Sequence, residues 1–154
     1  MLETINSSGP VIWLVLLRIA VGAIWLRSGL LKIPRREYLE YEKKLQRYMS
    51  KNPFPWYRDF LERHLLPNSR PAGYFFVTAE VLLGLTLIIG LLTVPMAIVG
   101  AFFNINFRLA AGWRNSSNIP LNYLMIMCQL LVVASGAGSQ LSLDAMLFTA
   151  STGG

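Results

Sequence analysis

The chain has 154 residues, of which 54% are hydrophobic and only 14% charged, with a mean hydropathy of +0.47. Soluble domains carry about 25% charged residues, so disorder and an ordinary water-soluble fold are both excluded, and the length suits one domain spanning residues 1–154. The net charge is +6, but the basic residues crowd into one connection between apolar runs, which points to membrane orientation and not to a nucleic-acid partner.

The first apolar run covers about 11–33 and is interrupted by Arg18 and Arg27. No Lys or Arg precedes it and no small-residue cleavage site follows, so it is expected to stay in the mature protein. Further runs cover about 72–92, 94–111 and 119–137, the last preceded by a turn-rich stretch at 115–118. Each approaches the roughly 20 residues that a membrane crossing requires, and Pro95 and Pro120 fall where a first helical turn tolerates a missing N–H. The expected fold is an all-α membrane protein, a four-transmembrane-helix bundle.

Between the first two runs, the 34–71 connection carries nine Lys and Arg residues, and Arg114 lies between the last two. The termini and the tight turn between the second and third runs carry none. The multi-pass protein is therefore expected in the cell membrane with the connection cytoplasmic and both termini outside. Within the connection, Tyr38, Tyr41, Leu45 and Tyr48 recur at helical spacing, predicting an amphipathic helix over 37–49 whose aromatic side lies in the headgroup zone. Pro53 and Pro55 break it, and a second short helix is expected over 56–66, stopping at Pro67. Anchoring the bundle at the interface or docking a soluble partner are both compatible with these helices. After the fourth run, 135–142 reads as a span exit followed by a polar segment with Asp144.

An ionisable residue inside a span costs about 2.5–3.5 kcal/mol at mid-helix and is a functional candidate by default. Arg18, Arg27, Lys32, Glu80 and Arg108 are such residues, with Asn104, Asn106, Asn122 and Gln129 as neutral company. At about 100° per residue, Arg18, Gly22, Trp25, Gly29 and Lys32 share one side of the first span, and Arg27 points the opposite way. The two glycines permit close helix approach, which makes this the inward face. Glu80 lies about 11–12 Å in from the basic side and leans back toward it, while Lys32 starts near that surface and leans inward, so an ion pair is expected. Arg18 sits nearer the outer half. Asn104 and Arg108 are four apart on one face of the third span; Asn122 and Gln129 are seven apart on one face of the fourth.

A quinone head group needs hydrogen-bond donors at two carbonyls, an apolar slot and a route for two protons. Glu80 and Lys32 are the catalytic candidates, with His64 as a further proton carrier. Asn104, Arg108, Gln129 and Arg18 are candidate quinone-binding donors, and Trp25, Phe102 and Phe103 are placed to flank a ring. Two other readings fit the same spacing: polar groups that satisfy one another and fix helix register, and ion translocation. One cysteine, Cys128, excludes an internal disulfide and a thiolate cluster from this chain alone, and most simply packs as a small hydrophobe. One histidine excludes a bis-histidine haem within one chain, so neither metal nor haem is expected to be bound by this chain alone.

Two stretches carry a resemblance: Arg18-x3-Gly22-x6-Gly29-x2-Lys32 in the first span and Glu80-x3-Gly84-x5-Gly90-Leu-Leu-Thr93 in the second. With NPFPWYRDFL, FNINFRLAAG and SGAGSQLSLD in order, the chain from about Leu17 to Asp144 resembles the DoxX/DoxD family of small four-helix membrane proteins. It is most similar to the DoxD branch, the small subunit of thiosulfate:quinone oxidoreductase. The resemblance marks Arg18, Gly22, Gly29, Lys32, Glu80, Gly84, Asn104 and Gly112. It implies a quinone-linked electron-transport role in a membrane complex, with electrons from thiosulfate or another donor handled together with partner subunits. A non-catalytic subunit of a respiratory or photosynthetic electron-transfer complex is the alternative. The long, charged 34–71 connection is this chain's departure from the pattern.

Overall fold

The computed structural model describes residues 2–50, 52–112, 118–135 and 142, and every regular element among them is helical. In chain order these are α1 (Leu2–Lys32), α2 (Tyr41–Met49), α3 (Pro55–Phe60), α4 (Ser69–Ile89), α5 (Thr93–Phe107) and α6 (Asn118–Ala134). Two π-helical turns, Leu61–Leu65 and Arg108–Gly112, extend α3 and α5. Residues 115–117, Arg114, Asp144 and the 136–141 span exit lie outside the described residues.

Helix α1 begins earlier than the apolar run does, at Leu2, and only its Ile12–Lys32 portion has the apolar length of a membrane span. Ser69–Ile89 and Thr93–Ala111 are the other two helical segments long and apolar enough to cross. The fourth apolar helix, Ile119–Ala134, is shorter than the run read from sequence. Its roughly 24 Å, at about 1.5 Å per residue, falls below the ~30 Å hydrocarbon core.

Helix α1 packs along α4 more extensively than any other pair, and α5 packs on α6. The main core gathers Val21, Trp25, Leu83, Leu87, Phe103 and Val132. Glycines bring α1 and α4 together: a Cβ at Gly22 would fall 2.9 Å from the Gly84 carbonyl oxygen, and one at Gly84 2.6 Å from Leu26 Cα. Gly90 ends α4 with a left-handed φ of 74°, its N–H and that of Leu91 donating to the Thr86 carbonyl at 2.9 Å. That geometry suits a residue without a Cβ. The chain then re-enters as α5, with Pro95 in its first turn.

The 34–71 connection folds back as a cap. Pro55 occupies the first helical turn of α3, and Asn52 staples its approach by accepting from the Phe54 N–H at 2.9 Å and donating to the Leu109 carbonyl at 3.1 Å. The aromatic side of α2 was expected in the headgroup zone; it packs against protein instead. Tyr41 stacks on Phe76 at a centroid distance of 5.7 Å, and Leu45, Tyr57, Leu61 and Ala110 form a second core under the cap. An amphipathic pattern specifies an apolar face but not what covers it. Here Phe76 and the π turn Arg108–Gly112 cover it.

Candidate functional site

Glu80 lies in the middle of α4 with no solvent exposure. A lone carboxylate there is costly unless a charge or hydrogen bonds compensate it. The glycine contact supplies both: at Gly29 a Cβ would fall 2.9 Å from the Val81 nitrogen and 3.2 Å from Glu80 Cβ. So close an approach brings the neighbouring turn of α1 onto the carboxylate. Lys32 Nζ donates to both carboxylate oxygens, and Ser28 Oγ donates to Oε2 at 3.1 Å. The Lys32 ammonium also lies 5.6 Å from the Phe107 ring centroid, a cation–π contact. The ion pair expected from helix depth is present, and Arg27 is exposed on the opposite face.

A second polar centre lies between α5 and α6. Asn104 Nδ2 donates to Gln129 Oε1 at 3.1 Å and to the Gly100 carbonyl at 3.3 Å. Gln129 Nε2 and Trp25 Nε1 both face the Cα of Gly100, and neither has an acceptor among the described residues. Gln129→Leu is expected to cost about 1 kcal/mol, the range of a transmembrane side-chain hydrogen bond, read as a lower midpoint in detergent unfolding.

The remaining candidates are dispersed. Arg108 opens the π turn and places its guanidinium 5.9 Å from the Tyr123 ring centroid. Arg18 is almost fully buried at the far end of the bundle, its guanidinium beside Gly90 and fourteen residues along α1 from Lys32, about 21 Å. His64 is exposed and stacks on Phe60. The structure therefore joins Lys32 with Glu80 and Asn104 with Gln129, and leaves Arg18 and Arg108 outside both centres.

Two clefts flank this region. A polar one of about 280 Å³ is lined by Ser28, Lys32, Lys44, Tyr48 and Asn122. An aromatic one of about 270 Å³ lies under the cap among Tyr41, Tyr57, Phe76, Phe103 and Asn106. Lys44, Tyr48, Phe107 and Ala110 belong to the walls of both. Phe75 and Phe102, at the rim of the aromatic cleft, are about 60% exposed and open it sideways between α4 and α5. Tyr57 Oη donates to Asn106, at 3.2 Å from its carbonyl oxygen. Burial pushes the Tyr57 hydroxyl up to about 12, so it stays a proton-bearing donor. Burial works against the Lys44 ammonium, but Tyr48 and the Glu37 carboxylate, which accepts from Lys44 Nζ at 3.1 Å, outweigh it and raise its pKa.

Sequence reasoning passed over Ser28, Lys44, Tyr48, Tyr57 and Phe107 as site residues. Ser28 was recoverable, because it lies one turn before Lys32 on the same helix. Nothing local marks Tyr57, whose partner Asn106 is 49 residues away.

Comparison with curated proteins and with solved structures returns no match. A family model described as the TQO small subunit DoxD matches residues 13–152, nearly the whole chain and every element that builds the ion pair and the clefts. With three helices of spanning length and apolarity besides, this chain is a multi-pass membrane protein that belongs to the DoxD family, that of the small subunit of thiosulfate:quinone oxidoreductase.

Proposed function

We propose that this chain is the quinone-binding membrane subunit of a thiosulfate:quinone oxidoreductase-like complex, with the quinone head group received by the aromatic cleft under the cap. The observation that carries this reading is the shared wall. An apolar cleft open toward lipid meets a polar one at Lys44, Tyr48 and Phe107, with the Lys32–Glu80 pair directly behind. The aromatic cleft, at about 270 Å³, falls just below the usual range of about 300–1,000 Å³ for ligand pockets. It accommodates a ring and the start of a tail, and the rest of an isoprenoid chain lies in the bilayer.

The residues fit the group chemically. Tyr57, Tyr48 and Lys44 are donors suited to carbonyl oxygens, and Phe76, Phe103 and Phe107 supply ring faces. When bound, quinone supplies a two-electron, two-proton acceptor. Electrons come from a partner subunit that oxidises thiosulfate or another donor. Glu80 is the residue that takes up and passes the proton, and Lys32 orients its carboxylate. Asn104 and Gln129 fix α5 against α6, and Arg18 and Arg108 act at the bundle's ends. With α6 as a fourth crossing, reached by local thinning of the bilayer, the basic connection lies in the cytoplasm and both termini outside.

The test is turnover of the purified complex with a short-tailed quinone analogue. Glu80→Gln is expected to lower kcat at least ten-fold while complex yield is preserved, and Tyr57→Phe to raise KM for the analogue several-fold. Unchanged kcat and KM in both variants would overturn the assignment. A chain whose deletion lowers complex yield but not turnover per intact complex is an accessory subunit, the reading that the internally satisfied Lys32–Glu80 pair also favours.

A further inference from the structure

We infer that the polar cleft between Lys44 and Ser28 is a proton inlet, carrying protons from water at the basic-loop surface to Glu80. The inference rests on the quinone-site reading for its purpose but on geometry for its path.

A third cleft, about 310 Å³ and half open, lies on the outer side of α2 among Glu37, Glu40, Lys43 and Arg47. Lys44 and Tyr48 belong both to its wall and to that of the inner polar cleft. They form a neck between the two clefts; the inner one is as open as the outer, and Phe107, Ala110, Ala111 and Leu121 share its wall with the polar groups. From the neck the inner cleft reaches Ser28 and Lys32, with room for several water molecules at about 30 Å³ each. Ser28 is the last link, since its hydroxyl lines that cleft and already donates to Glu80 Oε2. When Ser28 Oγ passes its proton to Oε2, it takes one from a cleft water. That water is reprotonated through the neck from bulk. One O–H bond forms for each broken, and the net event moves a single proton from the loop side to Glu80 while Lys32 remains an ammonium. The aromatic cleft shares Phe107 and the neck residues Lys44 and Tyr48 with the inner polar cleft, so lipid-borne substrate and aqueous protons converge on the pair from adjoining clefts.

Charge at the neck sets its conductance. Lys44 places an ammonium where a cation must pass, and Glu37, which Arg35 also meets at 3.9 Å, opposes it across a 3.1 Å hydrogen bond; Glu40, Lys43 and Arg47 face the outer side and Lys32 the inner. Glu37→Gln therefore adds net positive charge at the neck, Lys44→Gln takes one positive charge away, and the double variant restores the parent's net charge. An unscreened unit charge at this range changes cation access by about ten-fold.

The experiment uses the full chain in sealed vesicles, with Cys128→Ser as background and Ser28→Cys as the reporter. A small cationic methanethiosulfonate is the probe, and Gln46→Cys on the exposed face of α2 serves as positive control for the loop side. Ser28→Cys is expected to react from the loop side, about ten-fold more slowly with Glu37→Gln and no more slowly than the parent with Lys44→Gln. An anionic reagent should show the opposite order. A reporter that is inert from the loop side while Gln46→Cys labels, or rates indifferent to both neck variants, would overturn the inlet. In the intact complex, Glu37→Gln should also lower kcat at high pH more than at low pH. If labelling follows the neck charge but no quinone reduction depends on Glu80, the quinone reading fails and the aqueous path stands. If Glu80→Gln slows turnover and labelling ignores the neck, the path fails and the site stands.

Discussion

Lys32→Met is expected to destabilise the bundle by about 3–5 kcal/mol, the cost of leaving a buried charge without its partner. Glu80 has no exposed surface, and with Lys32 gone it keeps, among the described residues, the Ser28 hydroxyl. Glu80→Gln should cost distinctly less. The Lys32 side chain is 21% exposed at the last turn of α1 and can extend toward water along its own stem. A glutamine at position 80 also still accepts from Ser28. The double variant Lys32→Met/Glu80→Gln should then recover much of the loss, giving an interaction energy of about 2 kcal/mol or more. Midpoints of reversible unfolding in mixed micelles for the four proteins give this number directly. Additive single effects would mean that the pair contributes register but no free energy.

The same pair shows how far helical phase carries a reading. Gly22, Trp25, Gly29 and Lys32 fall on one face of α1 because a regular helix fixes direction at about 100° per residue, and three of the four are buried against α4 or α5. Arg18 obeys that phase and is buried too, yet lies about 21 Å from Lys32; phase gives a face and only length along the helix gives a neighbour. Asn104 and Arg108 show the same limit: the Arg108 N–H still bonds the Asn104 carbonyl, so both side chains face α6, yet Asn104 meets Gln129 and Arg108, one turn on, meets Tyr123.

Other parts were illegible for a different reason. The stripe Tyr41–Leu45–Tyr48 was plain as a stripe, but a lipid interface and the aromatic floor formed by Phe76 and Phe107 present the same apolar demand. Tertiary pairing chose between them, through Tyr57 with Asn106 and Asn52 with Leu109, contacts that span 49 and 57 residues. Ser28 was hidden by its residue type. A helical serine ordinarily bonds its own backbone one turn back, and only the close approach at Gly29 turns this hydroxyl outward to a partner helix.

That close approach supports the second large effect, at Gly84. In most exposed helix positions Gly→Ala stabilises by about 0.5–1 kcal/mol, because alanine loses less backbone entropy. Gly84→Ala is expected to do the reverse, by about 3 kcal/mol. The new methyl would lie 2.6 Å from both Cα and Cβ of Leu26, and backbone cannot swing aside as a side-chain tip can. Helices α1 and α4 must separate, and the displacement is felt at Gly22, packed against the Gly84 carbonyl, and at Gly29, packed against Val81. It therefore also draws Ser28 and Lys32 off Glu80, so part of the cost is electrostatic and should vanish in the Lys32→Met/Glu80→Gln background. Gly84→Val, with two more methyls and a β-branch, should fail to give a stable bundle at all. Ala23→Val, one residue along α1 from Gly22 but exposed, is the control and should change the midpoint by less than about 0.5 kcal/mol. A Gly84→Ala protein with a raised midpoint would mean that entropy outweighs contact there. The α1–α4 seam would then not be what holds the carboxylate in place.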